Sequence, residues 1–313
     1  MKTKIRYLEK TDINDVFAGW RAAFPLDDMS LERFEHRTLN DPNYVAAGHQ
    51  VAIERQGIVG FVSAVARRGI AGQDGMGTAA EKEYGYIKGL YVLKECAKPL
   101  ILKRNLLDLA LTFIKSEGKT AVKVGQYTGY FFNPGMDVRY TGERQFYQAN
   151  GFKEVDLEED VSIDLTSFTP SSYHIAAQQH TKQMGVVIQP YKIGLLSEMK
   201  KFVKRLQIPN FFPPTWEKGF DKWGTHLVAL KEGAVVGWAM YNPMFYEGYF
   251  GPIAVLQNFR RKKIGTALLL ESMLRMKAEG ASSVTAGWAN VPFYLKSGWV
   301  VSRRYTILEK KLV

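Results

Sequence analysis

The sequence predicts an α/β (α+β) protein of two tandem domains built on one plan, each a mixed sheet flanked by helices. Two observations lead there. A strand and helix pattern occurs twice in the same order, and 313 residues suffice for two domains of ordinary size. Each half closes on an aromatic pair, a short spacer and a Gly-aromatic step into a strand. The first copy is Phe146-Tyr147-Gln148-Ala149-Asn150-Gly151-Phe152 and the second Phe293-Tyr294-Leu295-Lys296-Ser297-Gly298-Trp299.

Both halves open with a strand (5–8; 187–189) and an amphipathic helix, the first capped by Thr11 or Asp12. A hairpin follows in each. Val51-Ala52-Ile53-Glu54 turns at Gln56-Gly57 into Ile58-Val59-Gly60-Phe61-Val62, and His226-Leu227-Val228-Ala229-Leu230 turns at Glu232-Gly233 into Ala234-Val235-Val236-Gly237-Trp238-Ala239. Runs of β-branched and aromatic residues around a short glycine-containing turn are a strand-turn-strand signal. Next come an apolar strand (86–92; 249–255), a long helix (99–116; 262–279) and another strand (121–125; 284–288). Strands alternating with helices imply a mixed sheet. The interval from Gly60 to Phe146 exceeds that from Gly237 to Phe293, so the first copy carries Gly-rich insertions, placed at about 66–84 and 126–142. The polar stretch 169–185 reads as a linker between domains at 1–168 and 186–313.

One cysteine, Cys96, rules out an intrachain disulfide and any zinc site built on several thiolates, so no metal is expected. The first residues are charged and lack the apolar run of a signal peptide or membrane span. A cytoplasmic protein without membrane contact is expected. A net charge of +11 fits either a basic surface kept for solubility or an anionic ligand. Nucleic acid is not an expected partner, because no recognition-helix motif or zinc finger accompanies the charge and the aromatics are not interleaved with a basic stripe.

The basic residues are dispersed except at one place. Strand Pro252-Ile253-Ala254-Val255 runs through Leu256-Gln257-Asn258-Phe259 into Arg260-Arg261-Lys262-Lys263-Ile264-Gly265-Thr266-Ala267-Leu268-Leu269. Cations at a helix N-terminus oppose its dipole, at roughly 0.3–1 kcal/mol each. Four in a row serve no helix. They suit a bound anion, which the free N–H groups of the first turn would receive while Gly265 lets it approach the backbone.

These residues resemble the GNAT N-acetyltransferase superfamily, whose coenzyme A pyrophosphate loop follows Arg/Gln-x-x-Gly-x-Gly/Ala at such a turn. Arg260 to Gly265 match it with one departure, Lys263 at the first glycine. The aromatic motif at Phe293 and Tyr294 is similar to the family's Tyr-containing helix. The comparable turn of the first half has Ala97 for the arginine and Leu100 and Leu102 for the glycines, which makes that half a degenerate copy. The resemblance implies two GNAT-like domains, each with a mostly antiparallel sheet, of which the second binds acetyl-coenzyme A as co-substrate. It implies that strand 251–255 splays from strand 284–288 to admit pantetheine, with amides near Ala254 or Val255 holding the thioester carbonyl. The cofactor contacts would come from those two residues, Arg260, Arg261, Lys262, Lys263, Ile264, Gly265, Thr266, Asn290 and Phe293.

On that resemblance the reaction is direct attack by an amine, with Tyr294 protonating the coenzyme A thiolate. Glu247 is the first choice for the base or is an exposed turn residue, with His226 and Asp221 in reserve. Asn290 bonds the pantetheine amide or caps the short helix. The proline-rich, aromatic segment 208–216 covers the acceptor or packs as a hydrophobic loop. Small amine, aminoglycoside, peptide N-terminus and protein lysine all fit as acceptor, and a longer acyl donor fits as well as acetyl. The competing class is a non-catalytic acyl-coenzyme A sensor or interaction protein. Oligomeric state is not legible.

Overall fold

The structure, a computed structural model, describes residues 3–67, 79–206, 216–243 and 247–312. The chain divides into two compact units, residues 1–158 with 305–313, and residues 159–304.

The first unit contains β1 (Lys4–Tyr7), α1 (Ile13–Ala23), α2 (Leu31–Leu39), β2 (His49–Glu54), β3 (Gly57–Ala66), β4 (Tyr84–Val92), α3 (Pro99–Ser116), β5 (Ala121–Val124), β6 (Met136–Asp137) and α4 (Thr141–Ala149), and it contains the start of β7 (Lys153–Asp164). Strands β1 to β4 form an antiparallel ladder in sequence order, and β5 joins β4 in parallel. Side chains alternate across the sheet, so each face takes a helix layer of its own. Phe61 and Tyr91 pack with Val16, Trp20 and Phe34 of α1 and α2, while Val62 and Leu90 pack with Leu106, Leu107 and Ala110 of α3. Helix α1 buries Ile13, Val16 and Trp20, one stripe at helical spacing, and Ser30 caps α2 by accepting from the Arg33 amide at 3.2 Å.

The second unit contains α5 (Ser172–Gln183), β8 (Val186–Pro190), α6 (Leu196–Leu206), β9 (Thr225–Lys231), β10 (Ala234–Tyr241), β11 (Phe250–Val255), α7 (Ile264–Ala278), β12 (Ser283–Ala286), α8 (Val291–Leu295) and the start of β13 (Val300–Lys311). Strands β8 to β11 form an antiparallel sheet in sequence order. The hairpin β9–β10 turns at Glu232 and Gly233 as expected, both at positive φ (52° and 81°), which matches the twist of a two-residue hairpin. One face packs on α7 through Leu268, Leu269 and Met273, the other on α6 through Met199 and Phe202.

Two features differ from the sequence-based expectation. The stretch expected as a linker is mostly helix α5, which buries His174, Ala177 and Thr181 and exposes most of the rest, so its composition reads as polar. The boundaries also fall elsewhere, because each repeat's last strand ends in the other unit. Residues 161–164 of β7 pair with β12 in the second unit, and residues 308–311 of β13 pair with β5 in the first. The insertion at 66–84 lies in part outside the described residues.

Candidate functional site

The basic turn lies between β11 and α7. A short 3-10 turn over Gln257–Phe259 leads into it, and Arg260, Arg261, Lys262 and Lys263 are all exposed. None of the four pairs with an acid among the described residues. Arg261 and Lys263 hold left-handed backbone, φ 58° and 61°. Branched and long side chains avoid that region, and it concentrates where a turn must aim its amides. The glycine absent at 263 is therefore the residue the backbone asks for, and lysine holds the conformation instead. Lys263 is the residue before α7, and the first helical bond runs from the Ala267 amide to its carbonyl at 3.0 Å. The amides of Ile264, Gly265 and Thr266 thus have no carbonyl one turn earlier. Ile264, Leu268, Leu269 and Met273 are fully buried beneath the turn, at roughly 1.5–3 kcal/mol apiece, and hold this helix end in place.

Beside the turn, two strands part. β11 and β12 meet at one parallel bridge, Tyr249 to Thr285, and beyond it belong to different sheets. The equivalent strands of the first unit, β4 and β5, stay paired over four positions. On the second unit's β11 the Leu256 amide donates to Val236 of β10 at 3.0 Å. Backbone groups alternate sides along a strand, so the Ala254 amide also faces β10 whereas the Val255 amide faces the gap. The Val255 carbonyl, on that same side, accepts from Arg260 Nε at 3.0 Å. Of the two amides expected to hold a thioester carbonyl, Val255 has the direction for it and Ala254 is used in the ladder.

Helix α8 closes the other side. A Cβ added to Gly265 would stand 3.5 Å from Phe293 and 3.8 Å from Val255, which places turn, gap and helix within one contact of each other. Tyr294 is 6% exposed and packs on Phe293, Trp299 and Phe250 at ring distances of 5.1, 5.0 and 6.2 Å. Burial pushes its hydroxyl well above the usual tyrosine range, so it is protonated at neutral pH. Asn290 is exposed at the N-cap position of α8, but its side chain makes no capping bond.

Other expected residues stand apart. Glu247 is exposed in the turn before β11, and Asp221 is exposed too. His226 is not available as a base: its Nδ1 accepts from Trp238 Nε1 at 3.0 Å, which leaves Nε2–H to donate to the Phe220 carbonyl at 2.7 Å. Burial lowers it to about 4, so both bonds belong to a neutral ring. Residues 208–215 of the proline-rich segment lie outside the described residues, and Trp216 packs on Phe220 at 5.0 Å. Sequence reading missed Tyr173 of α5. Its hydroxyl lies 3.3 Å from Thr266 Oγ1, and its ring lies 5.8 Å from Lys263 Nζ. Only the helical spacing of His174, Ala177 and Thr181 signalled that this stretch packs at all.

Residues 197–299, which include the turn, the gap and α8, match the acetyltransferase (GNAT) family. That match covers about a third of the chain. The GNAT fold extends over both units, since similar structures cover nearly the whole chain. A GCN5-related glucosamine N-acetyltransferase region of a fungal multi-domain GH3 β-N-acetylglucosaminidase superimposes with a TM-score of 0.75 at 17% identity, over 99% of this chain and 38% of that one. The present chain thus spans well under half of that protein. A GCN5-related N-acetyltransferase from Sphaerobacter thermophilus gives 0.70 at 15% identity over 99% and 95% of the two chains. A tandem GNAT protein from the clavulanic acid biosynthesis pathway gives 0.64 at 14% over 99% and 98%. No curated protein matches the chain. The GNAT family is one of acetyltransferases. No described helix is long and apolar enough to cross a membrane.

The first unit has the GNAT outline without this site. Leu100 and Leu102, at the start of α3, stand where the second unit has Lys263 and Gly265, and Leu100 is 72% exposed while Leu102 is buried. Its strand β4 carries Lys88 where β11 has Gly251, and Lys88 is fully buried against Asp41 at 2.7 Å. The small cleft beside it is lined by Tyr127, Phe131 and Phe132 of the inserted segment 126–142.

Proposed function

We propose that the second unit transfers an acetyl group from acetyl-coenzyme A to an amine, and that the first unit is a degenerate copy without a cofactor site. The observation that carries this reading is the unpaired basic turn on the N-terminus of α7 beside a strand gap that one amide faces. Arg260, Arg261, Lys262 and Lys263 would supply charge to the pyrophosphate, and the amides of Ile264, Gly265 and Thr266 would bond it. Pantetheine would lie in the gap between β11 and Phe293, with Asn290 reaching its amide. The Val255 amide stabilises the oxygen that becomes negative when the amine attacks, a contribution of about 3 kcal/mol for one such donor.

Tyr294 protonates the departing sulfur. A free thiol near pKa ~8.5 is a stronger acid than a buried phenol, but burial raises the thiol as well and brings the two closer. A non-catalytic acyl-coenzyme A sensor would need the turn but no proton donor.

The test is a calorimetric titration with acetyl-coenzyme A, run beside a free-thiol assay with glucosamine, spermidine, glycinamide and a lysine peptide. Glucosamine heads the panel because the fungal region above is described as a glucosamine N-acetyltransferase. We expect one site per chain, weakened by Gly265→Val, and acetylation of at least one amine. Two equivalent sites would overturn the degenerate first copy, and binding without any acetylation would favour the sensor.

A further inference from the structure

Strand alternation sorts the residues around the gap onto two faces. Val161, Phe250, Val284 and Ala286 lie in the core under α7 together with Tyr294 and Trp299. Their chain neighbours Asp160, Tyr249, Thr285 and Gly287 therefore point to the opposite face. On the reading above Tyr294 would protonate the thiolate from the core face, and the residues of the other face would meet whatever enters from there.

On that face two polar groups converge. Val161 pairs with Ala286, which sets Asp160 across from Gly287. A Cβ on Gly287 would stand 2.1 Å from the Tyr249 hydroxyl and 2.8 Å from Asp160 Oδ1, so the glycine's missing side chain is the room both groups use. Asp160 is 8% exposed. Ser302 Oγ lies 3.3 Å from the Asp160 carbonyl and holds its strand in place. Tyr249 also forms the single bridge at which β11 and β12 begin to part. The carboxylate thus sits at the apex of the gap, on the face away from Tyr294.

We infer that Asp160, set beside Tyr249 over Gly287, is the acceptor-side carboxylate: it holds the incoming amine and takes its proton. The inference rests on the acetyl-transfer reading. As the amine nitrogen bonds to the thioester carbon, one N–H proton passes to Asp160 through the Tyr249 hydroxyl. The C–S bond breaks and the sulfur takes a proton from Tyr294. The proton on Asp160 then returns to solvent and Tyr294 regains one, so acetyl-coenzyme A and amine become amide and coenzyme A thiol. Asp160 stands in the strand that ends the first repeat, which gives that repeat a part in a site whose turn it has lost. Exposed Glu247 is not needed as base.

Asp160→Asn keeps shape and removes the proton acceptor. Acetyl-coenzyme A affinity by calorimetry should stay within about twofold, while turnover of the amine acetylated in the panel falls about 10²–10⁴-fold. Hydroxylamine, a small nucleophile already neutral at pH 7, should be acetylated by the variant with a much smaller loss. Wild-type turnover by Asp160→Asn, or equal losses with both nucleophiles, would overturn the assignment and leave acetyl transfer standing. Wild-type protein that binds acetyl-coenzyme A but acetylates nothing would overturn the underlying reading instead. Should Asp160→Asn fail to fold, Tyr249→Phe decides: about a tenfold loss of turnover at unchanged affinity is expected, and no loss overturns the assignment.

Discussion

Tyr294 and Tyr147 are equivalent residues placed in different circumstances. Each carbonyl accepts the amide of the aromatic five residues on, Trp299 at 3.4 Å and Phe152 at 3.1 Å, and each ring packs against that aromatic at 5.0 and 5.1 Å. Burial raises both hydroxyls. The repeated motif made this pair legible in the sequence, since two aromatics and a Gly-aromatic step at one spacing call for the same short helix and strand. What the motif could not show is what lies beside each short helix, a basic turn and a gap in one unit and an aromatic-lined cleft in the other. Removing the hydroxyl alone separates the roles. Tyr294→Phe should lower turnover about 10²–10⁴-fold with little change in acetyl-coenzyme A affinity, whereas Tyr147→Phe should leave turnover nearly intact. Equal losses in a thiol-release assay would make both tyrosines packing residues.

At the scale of elements, the hairpins and the long helices were legible because period-two and helical patterns survive in their residues. The exchange of last strands was not. β7 and β13 are each twelve residues long, and nothing in their alternation says which sheet receives which end. Helix α5 was misread for a related reason, as three buried residues in twelve leave little apolar signal. The turn before α7 shows the converse case, in which a departure from a motif has a measurable cost. Left-handed backbone at Lys263 costs roughly 1–2 kcal/mol for a residue with a side chain, while glycine there would lose about 0.5–1 kcal/mol more entropy on folding. Lys263→Gly should therefore raise stability by up to about 1 kcal/mol in denaturant unfolding. It also removes one exposed charge from the turn, so acetyl-coenzyme A should bind weaker by no more than about fivefold. A destabilised variant would mean that the contact of Lys263 with the Tyr173 ring outweighs the backbone strain.

Across the whole molecule, each unit encloses a histidine that burial keeps neutral when folded. His49 in the first unit is lowered to about 3 and His226 in the second to about 4, in both cases chiefly by burial. An unfolded histidine titrates near ~6.5. Between about pH 6.5 and 4 the unfolded chain therefore binds protons that the folded chain does not. Stability rises with pH across that window and is lost as pH falls through it. For His226 the loss is at most about 3 kcal/mol by the usual 1.36 kcal/mol for each pKa step. Glutamine can reproduce its two bonds, accepting from Trp238 and donating to the Phe220 carbonyl, without taking up a proton. His226→Gln should then be the less stable protein at pH 7, through poorer packing against Phe220 at 4.0 Å, and should lose less stability than wild type on going to pH 5. Carboxylates common to both proteins cancel in the comparison. Parallel pH slopes in urea unfolding followed by circular dichroism would show that His226 is not the group whose protonation opposes folding.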